Sequence, residues 1–316
     1  MRAALLAFGL PEWAGRYPVS KVQSPLVKSL HPHTIFRAFK YLIYCLLVIN
    51  AFLFFQEDYL ASLEVFTSGV SLAHLAEAFS ATIDTTAWIV LLLLFELETA
   101  VIPDEKLKGN LKWLLMAIRV VSYSFILWAF YGYLTKYMVM TDTMPFSIAD
   151  VCSLVGTGFN WVQDLDEYPA IDQAACLAMQ GQQLLQINGT EIIGTVDAVE
   201  AAVNLTIIDI INAGDWLLIV LMLEVEVYMQ LKDMLTKRML FLGKLIKSLL
   251  YAVLFFCAVY WGILGDFLDF WDAFLWLVAF IFIEMNIFQW HEETEEERAE
   301  EIETHDVDGG MPHAAE

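Results

Sequence analysis

Six stretches of this chain are apolar for long enough to cross a bilayer, and that fixes most of what it can fold into. They fall at residues 39–55, 79–102, 111–134, 205–229, 241–264 and 267–290. A spanning helix needs roughly 20 largely apolar residues, whereas a barrel strand needs only about 10. Inside lipid every backbone N–H and C=O must be satisfied by the protein itself. Segments of this length therefore read as helices. At 59% apolar and 18% charged residues, the chain lies outside the roughly 45–50% and 25% of soluble domains. The expected fold is an all-α integral membrane protein with six transmembrane helices.

The charges are unevenly placed. The net charge is −22. Residues 142–209 hold ten acids and no Lys or Arg, and residues 291–316 hold eleven acids and only Arg298. Elsewhere acids and bases nearly balance. Short loops rich in Lys and Arg stay on the cytoplasmic side. The bases cluster around 2–40, 106–119 and 232–247, which with Arg298 puts sixteen of seventeen on one side; Lys136 alone falls on the other. Both termini are thus expected to be cytoplasmic, in a bacterial inner membrane or a eukaryotic plasma membrane. The chain divides into an interfacial N-terminal segment (1–36), three hairpins (37–104, 105–231 and 232–290) and an acidic tail (291–316).

The long acidic connection, about 141–204, exceeds an ordinary loop. It reads as an outward helical cap, with helices over 173–186 and 196–211. Cys152 and Cys176 both lie in it, and an oxidising compartment would let them pair. Cys45 and Cys257 lie in apolar runs and read as packing residues. Asn188 and Asn204 begin Asn-x-Thr tripeptides.

An internal repeat is the sharpest pattern. In the even-numbered segments Trp88, Trp216 and Trp276 are each followed eight residues later by Glu96, Glu224 and Glu284, and two further on by Glu98, Glu226 and Asn286. Four residues before each Trp stands Asp84, Asn212 or Asp272. In the odd-numbered segments Lys40, Arg119 and Lys247 precede Tyr44, Tyr123 and Tyr251 by four. Residues at i and i+4 share a helix face. Three tandem two-helix units of one orientation predict a parallel, pseudo-threefold arrangement about the membrane normal.

These spacings place Glu96, Glu98, Glu224, Glu226 and Glu284 in one band with Lys40, Arg119 and Lys247. Eight residues at 1.5 Å set Glu96 about 12 Å deeper than Trp88. Buried charge is expensive in lipid, and intramembrane carboxylates mark ion and proton pathways. Residues two apart on a helix point about 200° apart, so Glu96 and Glu98 cannot share the axis. Glu96, Glu224 and Glu284, acidic in all three units, are assigned to the axis. Glu98, Glu226 and Asn286 are assigned to pairing with neighbouring helices. The expected function is passage of protons or small cations. The alternative is a non-conducting scaffold or receptor that binds a partner through its acidic cap or tail. A plainer reading sets the Glu band at the headgroups, beside snorkelling Lys and Arg.

Other classes are disfavoured. There is no basic face for nucleic acid. There is no Gly-rich phosphate loop, Gly-x-Ser-x-Gly or His-Glu-x-x-His run, and no Cys/His metal spacing. No enzyme activity, cofactor or metal is expected; the lipid bilayer is the one sure partner, and assembly into an oligomer is left open.

Overall fold

The computed structural model of the chain describes residues 32–102, 109–231, 237–264 and 267–280. Its helices are α1 (Pro32–Val65), α2 (Leu75–Ala78), α3 (Ser80–Glu96), α4 (Asn110–Thr141), α5 (Gln173–Met179), α6 (Val196–Leu231) and α7 (Lys237–Leu264), followed by helical residues 267–280. Among the described residues four helices are long and apolar enough to cross a membrane: α1, α4, α6 and α7. The bent pair of α2 and α3 makes a fifth crossing if it counts as one. Of the sixth apolar segment only residues 267–280 are described. Large apolar side chains such as Phe52, Phe256 and Ile263 face outward, as a lipid-facing surface requires. The fold is that of a helical membrane protein.

The bend between α2 and α3 is 77°, and two contacts account for it. On α4, Gly132 lets the backbone of α2 come so close that a Cβ there would sit 2.0 Å from the Ala76 carbonyl oxygen. The first N–H groups of any helix lack intrahelical partners. At α3 a carboxylate from α1 supplies one: Asp58 accepts from the Thr82 backbone N–H at 3.0 Å and from its hydroxyl at 2.6 Å. At its other end α3 runs into a π-helical turn, Leu97–Val101.

The cap departs from the helical expectation, within a chain that is otherwise helical. It contains a four-stranded sheet of order β1-β3-β4-β2, made of β1 (Thr143–Phe146), β2 (Asn160–Trp161), β3 (Leu184–Ile187) and β4 (Ile192–Thr195). β1 and β4 lie antiparallel to β3, and β2 lies parallel to β4. The expected helix over 173–186 stops at Met179, because Gly181 turns with φ +79° and β3 follows. The expected cap helix over 196–211 is instead the first part of α6, which continues unbroken into the bundle. Cys152 and Cys176 form a disulfide that joins the short turn Val151–Leu154 to α5.

Cap and bundle share a core. Val162, Tyr168 and Ile192 of the cap pack in one buried cluster with Met140 of α4, Leu205 of α6 and Trp261 of α7. A hydrogen bond from Asn160 to Glu64 ties β2 to α1.

Candidate functional site

Of the charged band predicted from the repeat, the described residues include two ion pairs made by Glu96 and Glu98. Lys40 of α1 donates to Glu96 of α3 at 2.6 Å, and both are buried. Tyr41 and Tyr44 donate to the same carboxylate at 3.4 and 3.3 Å. Arg119 of α4 donates to both oxygens of Glu98 at 2.9 Å. Glu96 thus faces α1 and Glu98 faces α4, as the angle between them requires with α3 between those two helices. Lys247 is buried on α7, with Tyr251 one turn on and half-buried, and Tyr123 is half-buried on α4. The side chains of Glu224 and Glu226, and all of Glu284, Asn286, the N-terminal segment to residue 31 and the acidic tail, lie outside the described residues.

The other repeated set converges. Asp84 accepts from the Trp88 indole N–H at 3.1 Å, and Asp272 accepts likewise from Trp276. The Asp-x-x-x-Trp spacing is thus a hydrogen bond along one helix face at two places. Before Trp216, Asn212 stands in place of the acid. The indoles also meet. The Trp88 and Trp216 rings lie 6.0 Å apart, Trp216 lies 4.6 Å from Phe280, and Trp276 is buried in the same cluster.

Asp84, Asn212 and Asp272 line one cavity of about 50 Å³ at the cap end of the bundle. α1 adds Glu57 and Asp58, α6 adds Asp209, the last helix adds Asp269, and the cap adds Asp166. Among the described residues seven carboxyl groups therefore line this space, with Lys136 as the base. Tyr133 of α4 stands among four of them, within range of Asp84, Asp209, Asp269 and Asp58. Asp84 and Asp272 are within range of each other's charge. Asp272 also accepts from the Asn50 amide at 2.7 Å. Trp261, 3% exposed, lines the cavity, and its indole N–H has no hydrogen-bond partner among the described residues. A water needs roughly 10–15 Å³ and organic ligands fill about 300–1,000 Å³. The space fits a few water-sized bodies or a small ion.

Lys136 is the base that fell on the wrong side of the sequence's charge pattern. Its ammonium lies 2.6 Å from Asp166 and 4.0 Å from Asp58. Asp166 sits on a tight turn of the cap, closed by Asp164 and Glu167, with φ +66°. Asp tolerates that left-handed region better than most residues. The Asp166 backbone N–H donates to the Tyr168 hydroxyl at 3.4 Å, and that hydroxyl faces the Met140 sulfur. Burial, then the Asp166 carboxylate, push the Tyr168 phenol well above its ordinary value, so it stays a neutral donor at physiological pH.

The fold and site define a class: a helical membrane protein whose bundle encloses a carboxylate-lined cavity beneath a disulfide-bonded cap. The chain matches no known protein family, curated protein or solved structure. Sequence reasoning singled out Asp84, Asn212 and Asp272 as parts of the repeat but missed Glu57, Asp58, Asp166, Asp209 and Asp269. The signal for Asp58 and Asp166 was Lys136, a lone base in an acidic half, whose burial demands counter-charges.

Proposed function

We propose that this protein passes protons or small cations through its helical bundle, and that the carboxylate-lined cavity is the binding station. Its central ligands are Asp84 and Asp272, with Asn212 completing the ring. The observation that carries this reading is the excess of seven carboxyl groups over one ammonium in a space too small for a metabolite. A lipid-embedded group of acids needs a compensating positive species. The unpartnered Trp261 N–H adds a donor for a water or for a carboxylate oxygen displaced by the ion.

In this proposal the three two-helix units are parallel about a common axis, both termini are cytoplasmic, and the cap faces out. The convergence of Asp84, Asn212 and Asp272, and of their tryptophans, supports the repeat. In each unit a glutamate follows twelve residues later: Glu96, Glu224 and Glu284. Twelve residues of helix rise about 18 Å. On α3 this second carboxylate, Glu96, has Lys40 as its counter-ion.

The test is proton and monovalent-cation flux in proteoliposomes, comparing the unmodified protein with Asp84→Asn/Asp272→Asn. Flux should fall to the level of empty liposomes in the variant. Flux unchanged by the two substitutions would remove the cavity from the path. No flux from folded protein under an imposed gradient would turn the reading toward a scaffold or receptor.

A further inference from the structure

A second, smaller cavity of about 30 Å³ adjoins the first beneath the cap. α1 supplies Ser62 and Val65, α2 supplies Glu77, and the cap supplies Tyr168. Lys136 and Asp166 line both cavities. Their ion pair therefore borders both spaces. Glu77 is bonded at 3.1 Å to His74, which is exposed at the protein surface. The polar groups thus run from surface to acidic cavity in the order His74, Glu77, Asp166 with Lys136, then Asp58 and Asp84.

We infer that the cap turn carrying Leu165 and Asp166 gates the acidic cavity, that the second cavity is its vestibule, and that Lys136 is a tethered cation which an incoming ion displaces from Asp166. This rests on the reading of the acidic cavity as a cation site. Leu165 is buried against the same cavity, so the turn fills the opening with one apolar and one acidic side chain. The ammonium at 2.6 Å from Asp166 occupies the position a mobile cation would take. Asp58, 4.0 Å away on α1, is the second carboxylate to which that ammonium can swing when Asp166 is taken. Asp209 on α6 lies within range of the same charge. Asp58 is itself anchored by Thr82, so it stays in place while Lys136 moves. Lys136 thereby sets specificity as well as access. A cation must compete with a primary ammonium for a carboxylate, and an anion meets carboxylates in both spaces.

The test reads access directly, apart from flux. In the full-length protein carrying Cys45→Ser and Cys257→Ala, a thiol is placed in the acidic cavity by Thr85→Cys. Thr85 is buried and lines that cavity. The folded protein is exposed to Ag⁺, and silver capture is scored as protection of that thiol from maleimide in denaturant. With the latch intact, capture should be slow. Adding Asp166→Asn, or separately Lys136→Met, should make it fast, whereas Lys136→Arg, which keeps the charge, should keep it slow. Two independent routes to an open latch guard against one variant failing to fold. Capture that is equally fast with the latch intact, or equally slow in both open variants, overturns the gate. A gate that behaves as described in a protein without cation flux would leave the gate standing and remove the transport reading alone.

Discussion

Two glycines in the middle of spanning helices should respond to the same substitution with opposite signs. On α4, Gly132→Ala places a Cβ 2.0 Å from the Ala76 carbonyl oxygen, 2.6 Å from its carbon and 3.1 Å from the Ser80 Cβ. A comfortable carbon–oxygen approach is about 3.3–3.6 Å, so the α2–α3 corner must retreat by about 1.3 Å or more. Both nearest atoms are backbone, and no side-chain rotation relieves them. Overpacking of this kind typically costs about 1–3 kcal/mol, against which the better helix propensity of Ala returns at most about 1 kcal/mol. On α6, Gly214→Ala meets only the Phe130 ring at 3.4 Å. There the propensity gain stands alone, and the variant should be neutral or up to about 1 kcal/mol more stable. Denaturant unfolding in detergent, followed by tryptophan fluorescence, measures both. A Gly132→Ala protein as stable as Gly214→Ala would refute the close approach of α2 to α4, and with it the explanation of the bend.

Three further outcomes are expected. Replacing Cys152 and Cys176 by Ser opens a loop with a sequence separation of 24, and the chain-entropy relation gives a loss of about 3.5 kcal/mol; hydrogen exchange should rise in the cap and not in α1. Lys40→Met or Glu96→Gln alone should each destabilise by about 3–5 kcal/mol by stranding a buried charge, and the double variant by much less; additive losses in that cycle would mean that the pair is not coupled. Asp58→Asn should leave α3 capped in part through the remaining oxygen, whereas Asp58→Ala should cost about 1 kcal/mol more by orphaning the Thr82 N–H. The two unfolding midpoints decide that point.

The bundle was legible in the sequence because lipid imposes one rule on every residue of a span. Apolar runs located α1, α4 and α7 to within a few residues of their cores. The Asp-x-x-x-Trp spacing drew attention to Asp84 and Asp272 because residues four apart share a helix face. The cap was less legible. Leu184–Ile187 and Ile192–Thr195 are four-residue strands, too short for alternation to be told from one face of a helix. Gly181 was the available signal that the helix beginning at Gln173 must end. The bend at Phe79 carried no Gly or Pro signal of its own; the contacts that go with it come from Gly132 and Asp58, both distant in sequence. The cavity was illegible for a related reason. Its acids come from five elements, and only Asp84, Asn212 and Asp272 share a spacing. The glutamates drew attention because their number in apolar surroundings is unusual, yet Glu96 answers to Lys40 and two tyrosines.

α6 has 36 residues and no break, a rod of about 54 Å. Its first turn follows directly on β4 of the cap, and its sixteenth residue beyond Val196 is Asn212 at the cavity. The cap is therefore rigidly mounted rather than hung on a linker. Mechanically it is the handle of a lever whose shaft forms one wall of the acidic cavity. A force applied to the cap arrives at Asn212 and Trp216 as a tilt, without a joint to absorb it.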